Sequence, residues 1–536
     1  MNLNFLHNPY TTRRTPMVAA NGVVATSHPL AAQAGLSMLQ AGGSAVDAAV
    51  ATAAALTVLE PTSNGIGSDA FALVWDGQTL HGLNGSGRAP ATLTVEAVRR
   101  VGHARMPSHG WLTVTVPGAV AAWQDLHARF GKLPFDQVLQ PAIIYAEQGA
   151  PVQPIVAHNW ARGVEIARQR RGSEFAGFLD TFAPGGAAPA VGQRFVSPGH
   201  ARTLRMIAAQ GADAFYKGQI AEAIVGFAHE TGGLFTADDL AAHRSAWVDP
   251  ISVNYRGHTV WEIPPNGQGL TALIALGILE GFDLGRTPRD STEAYHLQIE
   301  AMKLAFADAF RYIADPEHAD VPVAQLLDPN YHAERRTLIG EAVRFPEPGA
   351  FPQGGTVYLC ATDGDGMMIS MIQSNFAGFG SGVVVPAWGI SLQNRGAGFV
   401  LEPGHPNVLA PGKRPFHTII PAFLTRNGKA VGPFGVMGGH MQPQGHAQVV
   451  INMLDYGMNP QAALDAPRWQ VEQDNSVRLE LETPRHIIEG LIARGHHVVV
   501  EPEQGGFGRG QAIWRLPSGA YAAGSEARCD GAAVGW

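Results

Sequence analysis

The hydrophobic period of this chain shifts from mostly helical to mostly strand-like around Thr356, and that shift limits what it can fold into. In STEAYHLQIEAMKLAFADAFRYIAD the residues Ile299, Met302, Phe306, Ala309 and Ile313 recur at three- and four-residue steps. That spacing predicts a long helix with one core-facing stripe. After Thr356 the period shortens, and VYLCAT, DGDG and MMISMIQS read as strand, tight turn, strand. Between the two regimes lies RFPEPGAFPQGG, whose three prolines and three glycines suit neither a helix nor a central strand. Helices before the junction and a strand-rich last third predict an α+β fold, with a four-layer αββα sandwich as the expected architecture.

The rest of the chain fits that pattern. A helical stretch from Pro29 to Leu59 is interrupted by a turn at which Ser44 is the expected N-cap, and Thr236 is expected to cap a short helix. Further helices are expected over Asp136–Gln148 (kinked or split at Pro141), Asn159–Gln169, Ala201–Gln210, Gly218–Glu230, Met441–Leu454 and Pro484–Arg494. Strands are expected near Ile251–Tyr255, His258–Ile263, Gly389–Gln393, Thr418–Leu424, Val431–Phe434, Val477–Leu481, His497–Glu501, Ala512–Arg515 and Ala520–Gly524. The Gly-rich loop Asn64–Asp69 leads into another strand, either as a binding wall or as a plain turn.

Composition excludes several classes. A length of 536 residues suggests two to four domains. The charge of -8, from 37 basic and 45 acidic residues with no basic stripe, argues against a nucleic-acid partner. The most apolar stretch, AVDAAVATAAALTVLEP, is short and holds Asp47, so no membrane span is expected. No apolar run follows Arg13 and Arg14, so the N-terminus does not read as a secretory signal, and a cytoplasmic location is expected. Cys360 and Cys529 are the only cysteines and read as reduced thiols rather than a disulfide. His440 and His446 lack a third ligand at metal-binding spacing, so neither metal nor cofactor is expected. GGFGRG, Gly505 to Gly510, lacks the Lys-Ser/Thr ending of a phosphate loop and reads as a turn.

The junction itself carries chemistry. A threonine hydroxyl is a poor nucleophile near neutral pH unless a base assists it, and an N-terminal threonine has one in its own α-amine. That amine titrates near about 8, which leaves a useful fraction unprotonated. Such an end must be made by cutting the bond before the threonine, and Gly355–Thr356 stands where a loose segment meets a strand. By spacing alone, Thr356 also reads as an ordinary β-branched strand opener.

Many longer motifs decide between these readings. VAANGVVATSHPLAAQAG, GGSAVDAAVA, EPTSNGIG, TVPGAV, GGLFTADDL, PPNGQG, HLQIEAMKLAFAD, FGSGVVVPAWGISLQN, PGKRPFHTIIP, GVMGGHMQPQGH, DAPRW and GSEARCDGAAVG run along nearly the whole chain. They resemble the gamma-glutamyltransferase (glutathione hydrolase) family of N-terminal nucleophile hydrolases. The resemblance implies an αββα sandwich, self-cleavage before Thr356, and an acyl-enzyme route to hydrolysis or transpeptidation. It implies segments 1–355 and 356–536 that form one unit as a heterodimer, and leaves any higher oligomer open.

Carried over residue by residue, the resemblance implies Thr356 as nucleophile and Ser374 as the hydroxyl that holds it. Gly438 and Gly439 would supply the oxyanion amides. The usual Thr-Thr-His start is here Thr356-Val357-Tyr358. The substrate anchors depart further. Ser86 stands at the family's arginine position, with Arg88 two residues on, and Arg395 and Gly398 replace polar and acidic positions. His417-Thr418 replaces a serine pair, and the asparagine after the second strand is displaced or replaced around Asn375. His440, Lys413 and Arg414 are candidate lining residues. Losing an acid and gaining Arg395 removes a partner for an ammonium and adds one for a carboxylate. The chain thus resembles a hydrolase branch that includes oxamate amidohydrolase, and its expected substrate is a small amide bearing a carboxylate. A gamma-glutamyl hydrolase or transferase is the alternative. A binding-only protein would have no need of Thr356, Ser374, Gly438 and Gly439 together. Purified protein is expected to yield chains of 355 and 181 residues by intact mass, and Thr356→Ala to remain a single 536-residue chain.

Overall fold

Every residue from Thr356 to Asp363 is buried, so the strand that begins at the threonine lies inside a sheet with both faces covered. The computed structural model describes residues 14–343, 355–502 and 504–536. The Pro/Gly-rich segment before Gly355 lies outside the described residues, as does Arg13.

Strand Gly355–Asp363 pairs with Gly22–Thr26 on one side and Met368–Phe376 on the other. Asp69–Trp75, Leu80–Gly85 and Ala246–Val248 continue this seven-stranded antiparallel sheet, and Ala532–Gly535 closes its other edge. A second seven-stranded antiparallel sheet runs Met17–Ala19, Tyr521–Ser525, Arg509–Arg515, Lys429–Met437, Ala422–Arg426, His258–Glu262 and Ile251–Tyr255. Strands from both sides of Gly355 are woven into each sheet.

Side-chain alternation sorts the core into layers. Tyr358, Cys360, Phe71, Leu73 and Ile372 face the opposing sheet and meet Ile263, Phe423 and Ile513. Val357, Leu359, Ala70, Ala72 and Ile369 face the other way and pack with residues of helices Pro29–Gln40 and Ala45–Leu59. Leu424, Phe434, Val436 and Trp514 pack with residues of helices Gly269–Leu279 and Thr292–Tyr312. Helix on sheet on sheet on helix is the αββα sandwich expected from the sequence.

Local rules explain the helix ends. Ser44 and Asp47 form a capping box on the wholly buried helix Ala45–Leu59, and Thr236 and Asp239 form another. The Asp47 carboxylate also accepts from the amides of Lys132 and Leu133, which ties a later loop to this helix start.

Several boundaries differ from expectation. The helix Phe135–Gln148 is not split at Pro141; the buried stripe Val138, Leu139, Ala142, Ile143 and Ala146 holds it across the missing hydrogen bond. The strand expected from Thr418 begins at Ala422, because the Thr418 carbonyl is taken by the Gln268 side chain. The strand expected over Gly389–Gln393 shrinks to Ile390–Ser391. Gly22–Thr26, Leu80–Gly85 and Ala532–Gly535 are strands that periodicity did not reveal. Both cysteines are free, Cys360 buried and Cys529 partly so. No helix among the described residues is long and apolar enough to cross a membrane.

The closing GSEARCDG stretch is held by buried ion pairs. Arg468 meets Glu526 at 2.6 Å, and Arg528 meets Glu480 at 2.5 Å and Glu526 at 2.6 Å. Removing one member leaves charges buried without partners. Arg528→Ala is therefore expected to cost about 3–5 kcal/mol in denaturant unfolding.

Candidate active site

The register between Gly355–Asp363 and Met368–Phe376 slips at Thr356. Gly355 faces Phe376 and Val357 faces Gln373, so the single residue Thr356 spans the width of Ser374 and Asn375. Such a bulge re-aims side chains, and these features concentrate beside active sites. Here it brings Thr356 Oγ1 to 3.0 Å from Ser374 Oγ.

Ser374 Oγ is fully subscribed. It lies 2.8 Å from the Gly355 carbonyl oxygen, to which it donates, and accepts from Phe376 N at 2.7 Å and Arg395 Nη2 at 3.1 Å. A hydroxyl has one proton and two lone pairs. The two N–H donors fill the lone pairs, so the single proton is shared between the Gly355 carbonyl and Thr356 Oγ1. Directed at Gly355, it polarises the carbonyl that Thr356 would attack. Phe376 holds a φ of 76°, rare for a residue with a Cβ, and so turns its amide onto Ser374.

Arg395 completes the group. It is fully buried, donates to Thr418 Oγ1 at 2.6 Å, and lies 4.4 Å above the Phe376 ring. Its Nε has no hydrogen-bond partner, and it forms no ion pair among the described residues. Burial pulls its pKa down to about 9, against the opposing pull of Asp69. A buried guanidinium without an anion is costly and calls for an anionic guest.

Gly438 and Gly439 have φ of 137° and 62°, conformations that favour glycine. The Gly438 carbonyl accepts from Met441 N, so the Gly439 amide of the same planar peptide points the opposite way. Gln268, from PPNGQG, fixes this turn by donating to the carbonyls of Gly439 at 2.8 Å and Thr418 at 2.6 Å. Fixed amides of this kind can stabilise an oxyanion. Gly438, Gly355 and His440 line one cleft of about 520 Å³, together with Thr62 and Ser63 of the EPTSNGIG loop. His440 lies 3.1 Å from Gln268 Oε1 and sits among Phe306, Phe310 and Phe416, and burial lowers its pKa to about 3, so it is neutral.

The other candidates fall elsewhere. His417 Nε2 donates to Asp69 Oδ2 at 3.0 Å, since its Nδ1 accepts from Ile419 N. Asp69 pairs across the sheet with Ser374, and burial pushes its carboxyl up to about 7. Asn375 bridges Ser68 and Ser391. Ser86 is buried against Asn84 and Asn266, and Arg88 grips Glu317 and the Gly412 carbonyl, so neither touches the Thr356 group. Lys413 caps the carbonyls of Pro406 and Val408, and Arg414 meets Glu317. Sequence reasoning missed Gln268 and Asp69, although both lie in the quoted motifs PPNGQG and EPTSNGIG or directly beside them. Among the described residues, His296, Glu300 and His496 form a grouping with metal-ligand spacing; the Lys303 ammonium already lies 2.9 Å from Glu300 and 3.4 Å from His496.

The gamma-glutamyltranspeptidase family pattern matches residues 31–536. The chain belongs to that family. Its members are N-terminal nucleophile hydrolases that act on carbon–nitrogen bonds other than peptide bonds and arise from autocatalytic zymogens. The chain is 37% identical over 528 residues to the glutathione hydrolase-like YwrD proenzyme of Bacillus subtilis, covering 97% of this chain and 99% of that protein. It is 37% identical over 535 residues to the oxamate amidohydrolase proenzyme of Klebsiella pneumoniae, with the same coverage of 97% and 99%. A solved cephalosporin acylase from Bacillus halodurans superimposes with a TM-score of 0.97 at 54% identity, covering 100% of this chain and 99% of that one.

Two outcomes follow from this geometry. Ser374→Ala, which removes the hydroxyl that contacts both Thr356 and Gly355, is expected to slow chain cleavage by about 100-fold or more, followed by gel densitometry. The folded Asp69 carboxyl titrates at about 7 instead of 3.8, so its protonated form is favoured in the fold. The stability it lends is full below about pH 4 and is lost as pH rises through about 7. Asp69→Asn, which stays neutral, is expected to flatten that span of the unfolding profile.

Proposed function

We propose that this protein cuts itself between Gly355 and Thr356 and then acts as an N-terminal threonine amidohydrolase on amides whose acyl half carries a carboxylate. The observation that carries the reading is Arg395, buried without an anion and hydrogen-bonded to the serine that holds Thr356. After the cut, the Thr356 amine would take the proton of its own hydroxyl, and the attack would break the amide C–N bond, expel the amine half with that proton and leave an acyl-threonine ester that water hydrolyses. The Gly438–Gly439 turn would hold the oxyanion. The forked guanidinium would grip the carboxylate and set the acyl carbon against Oγ1.

Of the acyl groups, gamma-glutamyl has the wider support, from the family match and from relatives named glutathione hydrolases. The oxamate-like amide expected from the sequence has the Klebsiella enzyme behind it. It would fill only a small part of a cleft of about 520 Å³, a volume that suits a larger molecule. The acylase likeness also favours a sizeable amine half.

A matched set of 4-nitroanilides tests this: gamma-glutamyl, glutaryl (the carboxylate without the amine) and butyryl (neither). The first two are expected to be hydrolysed and the third to be poor, with oxamate assayed beside them. Arg395→Gln, measured on the cleaved fraction, is expected to lower kcat/KM on the carboxylate-bearing pair by about 100-fold. Equal turnover of all three anilides would refute a carboxylate anchor.

A further inference from the structure

The cleft has a second wall that the nucleophile chemistry does not use. Asn159, Arg162, Gly163 and Ile166 recur at three- and four-residue steps on helix Pro154–Gln169, so one helical face lines the cleft, and Arg170 follows at its end. Gly163 allows this approach, because a Cβ there would stand 2.4 Å from the Phe379 ring. Ile166 is 50% exposed and shares the lining with Phe178, which gives this wall an apolar patch.

Arg170 is the unexplained group. Its Nε is buried without a partner, and it makes no ion pair among the described residues. Its side chain rests 5.7 Å from the Phe175 ring centre and against Gly382, where a Cβ would meet Nη1 at 2.0 Å. Of the other cleft arginines, Arg478 is paired with Glu472 and Glu501, Arg509 lies 3.4 Å from Glu60, and Arg162 is exposed on the helix face. Burial lowers the Arg170 pKa to about 10, the direction expected of a cation that lacks an anion.

We infer that Arg170 anchors a second anion subsite, one that takes a carboxylate on the amine half of the substrate. Ile166 and Phe178 cover the apolar body between the scissile amide and that carboxylate. Arg170 would then read the amine half of the substrate while Arg395 reads the acyl half. This rests on the amidohydrolase reading above for its catalytic meaning, but the subsite itself can be tested without turnover.

Two anilides that differ in one group provide the kinetic arm: gamma-glutamyl-4-aminobenzoate and gamma-glutamyl anilide. Wild-type protein is expected to favour the first in kcat/KM by about tenfold, Arg170→Gln to bring the ratio near one, and Arg170→Lys to keep much of the preference. A purely structural arginine would lower both rates together and leave the ratio alone, which would overturn the inference. The binding arm uses 4-aminobenzoate and aniline with the uncleaved Thr356→Ala chain in calorimetry. Tighter binding of 4-aminobenzoate by about tenfold, lost in Arg170→Gln, supports the subsite; equal binding of the two amines by the parent chain overturns it. If neither anilide is hydrolysed, the amidohydrolase reading fails on these substrates, and the binding arm still decides the subsite.

Discussion

The ladder between Gly355–Asp363 and Met368–Phe376 is the constraint on which the site depends. Both strands lie inside a sheet whose faces are packed, one on the opposing sheet and one on helices. A slip of one residue would turn Tyr358 and Cys360 out of the inter-sheet layer and Val357 and Leu359 into it, so the register is strongly held. The single irregularity at Thr356 is therefore anchored by regular pairing from Val357 to Thr362. A hydroxyl on a loop would have to be ordered at each turnover. This one is presented by a strand that the core already orders.

Around that hydroxyl the molecule departs from the rules it follows elsewhere. Phe376 holds a positive φ, Arg395 is buried with no ion-paired acid among the described residues, and Asp69 is a buried carboxyl whose neutral form the fold favours. Each is unfavourable alone, and each touches or faces Ser374. The buried ion pairs at the C-terminus provide a contrast, since Arg468, Arg528, Glu480 and Glu526 satisfy one another completely enough to need no guest. Unpaired charge inside a well-paired protein marks where chemistry or binding takes place.

Part of this was legible in the chain. The shift in period at Thr356, the caps at Ser44 and Thr236 and the stripe from Ile299 to Ile313 are local signals, set by one residue's neighbours a few positions away. Some strands escaped notice for a physical reason. Gly22–Thr26 is buried on both faces and shows no alternation, while Leu80–Gly85 and Ala532–Gly535 are rich in glycine or alanine and acquire strand character from their partners. Pro141 misled in the other direction, because tertiary packing outweighed the lost hydrogen bond.

By itself, the sequence singled out Thr356 as the candidate nucleophile, Gly438 and Gly439 as the candidate oxyanion pair, and the loss of an acid at Gly398 beside the gain of Arg395, since each is a matter of residue type at a motif position. Tertiary structure alone decided which charged residues lie beside Thr356 and Ser374. Arg88 and Arg395 look alike in the chain, yet one is consumed by Glu317 while the guanidinium of the other hydrogen-bonds to two hydroxyls and lies over an aromatic ring. It also brought Gln268 under Gly439 and Arg170 onto the cleft wall. The reason is that an arginine's role depends on whether an anion lies within reach after folding, and the partners that settle this come from distant parts of the chain.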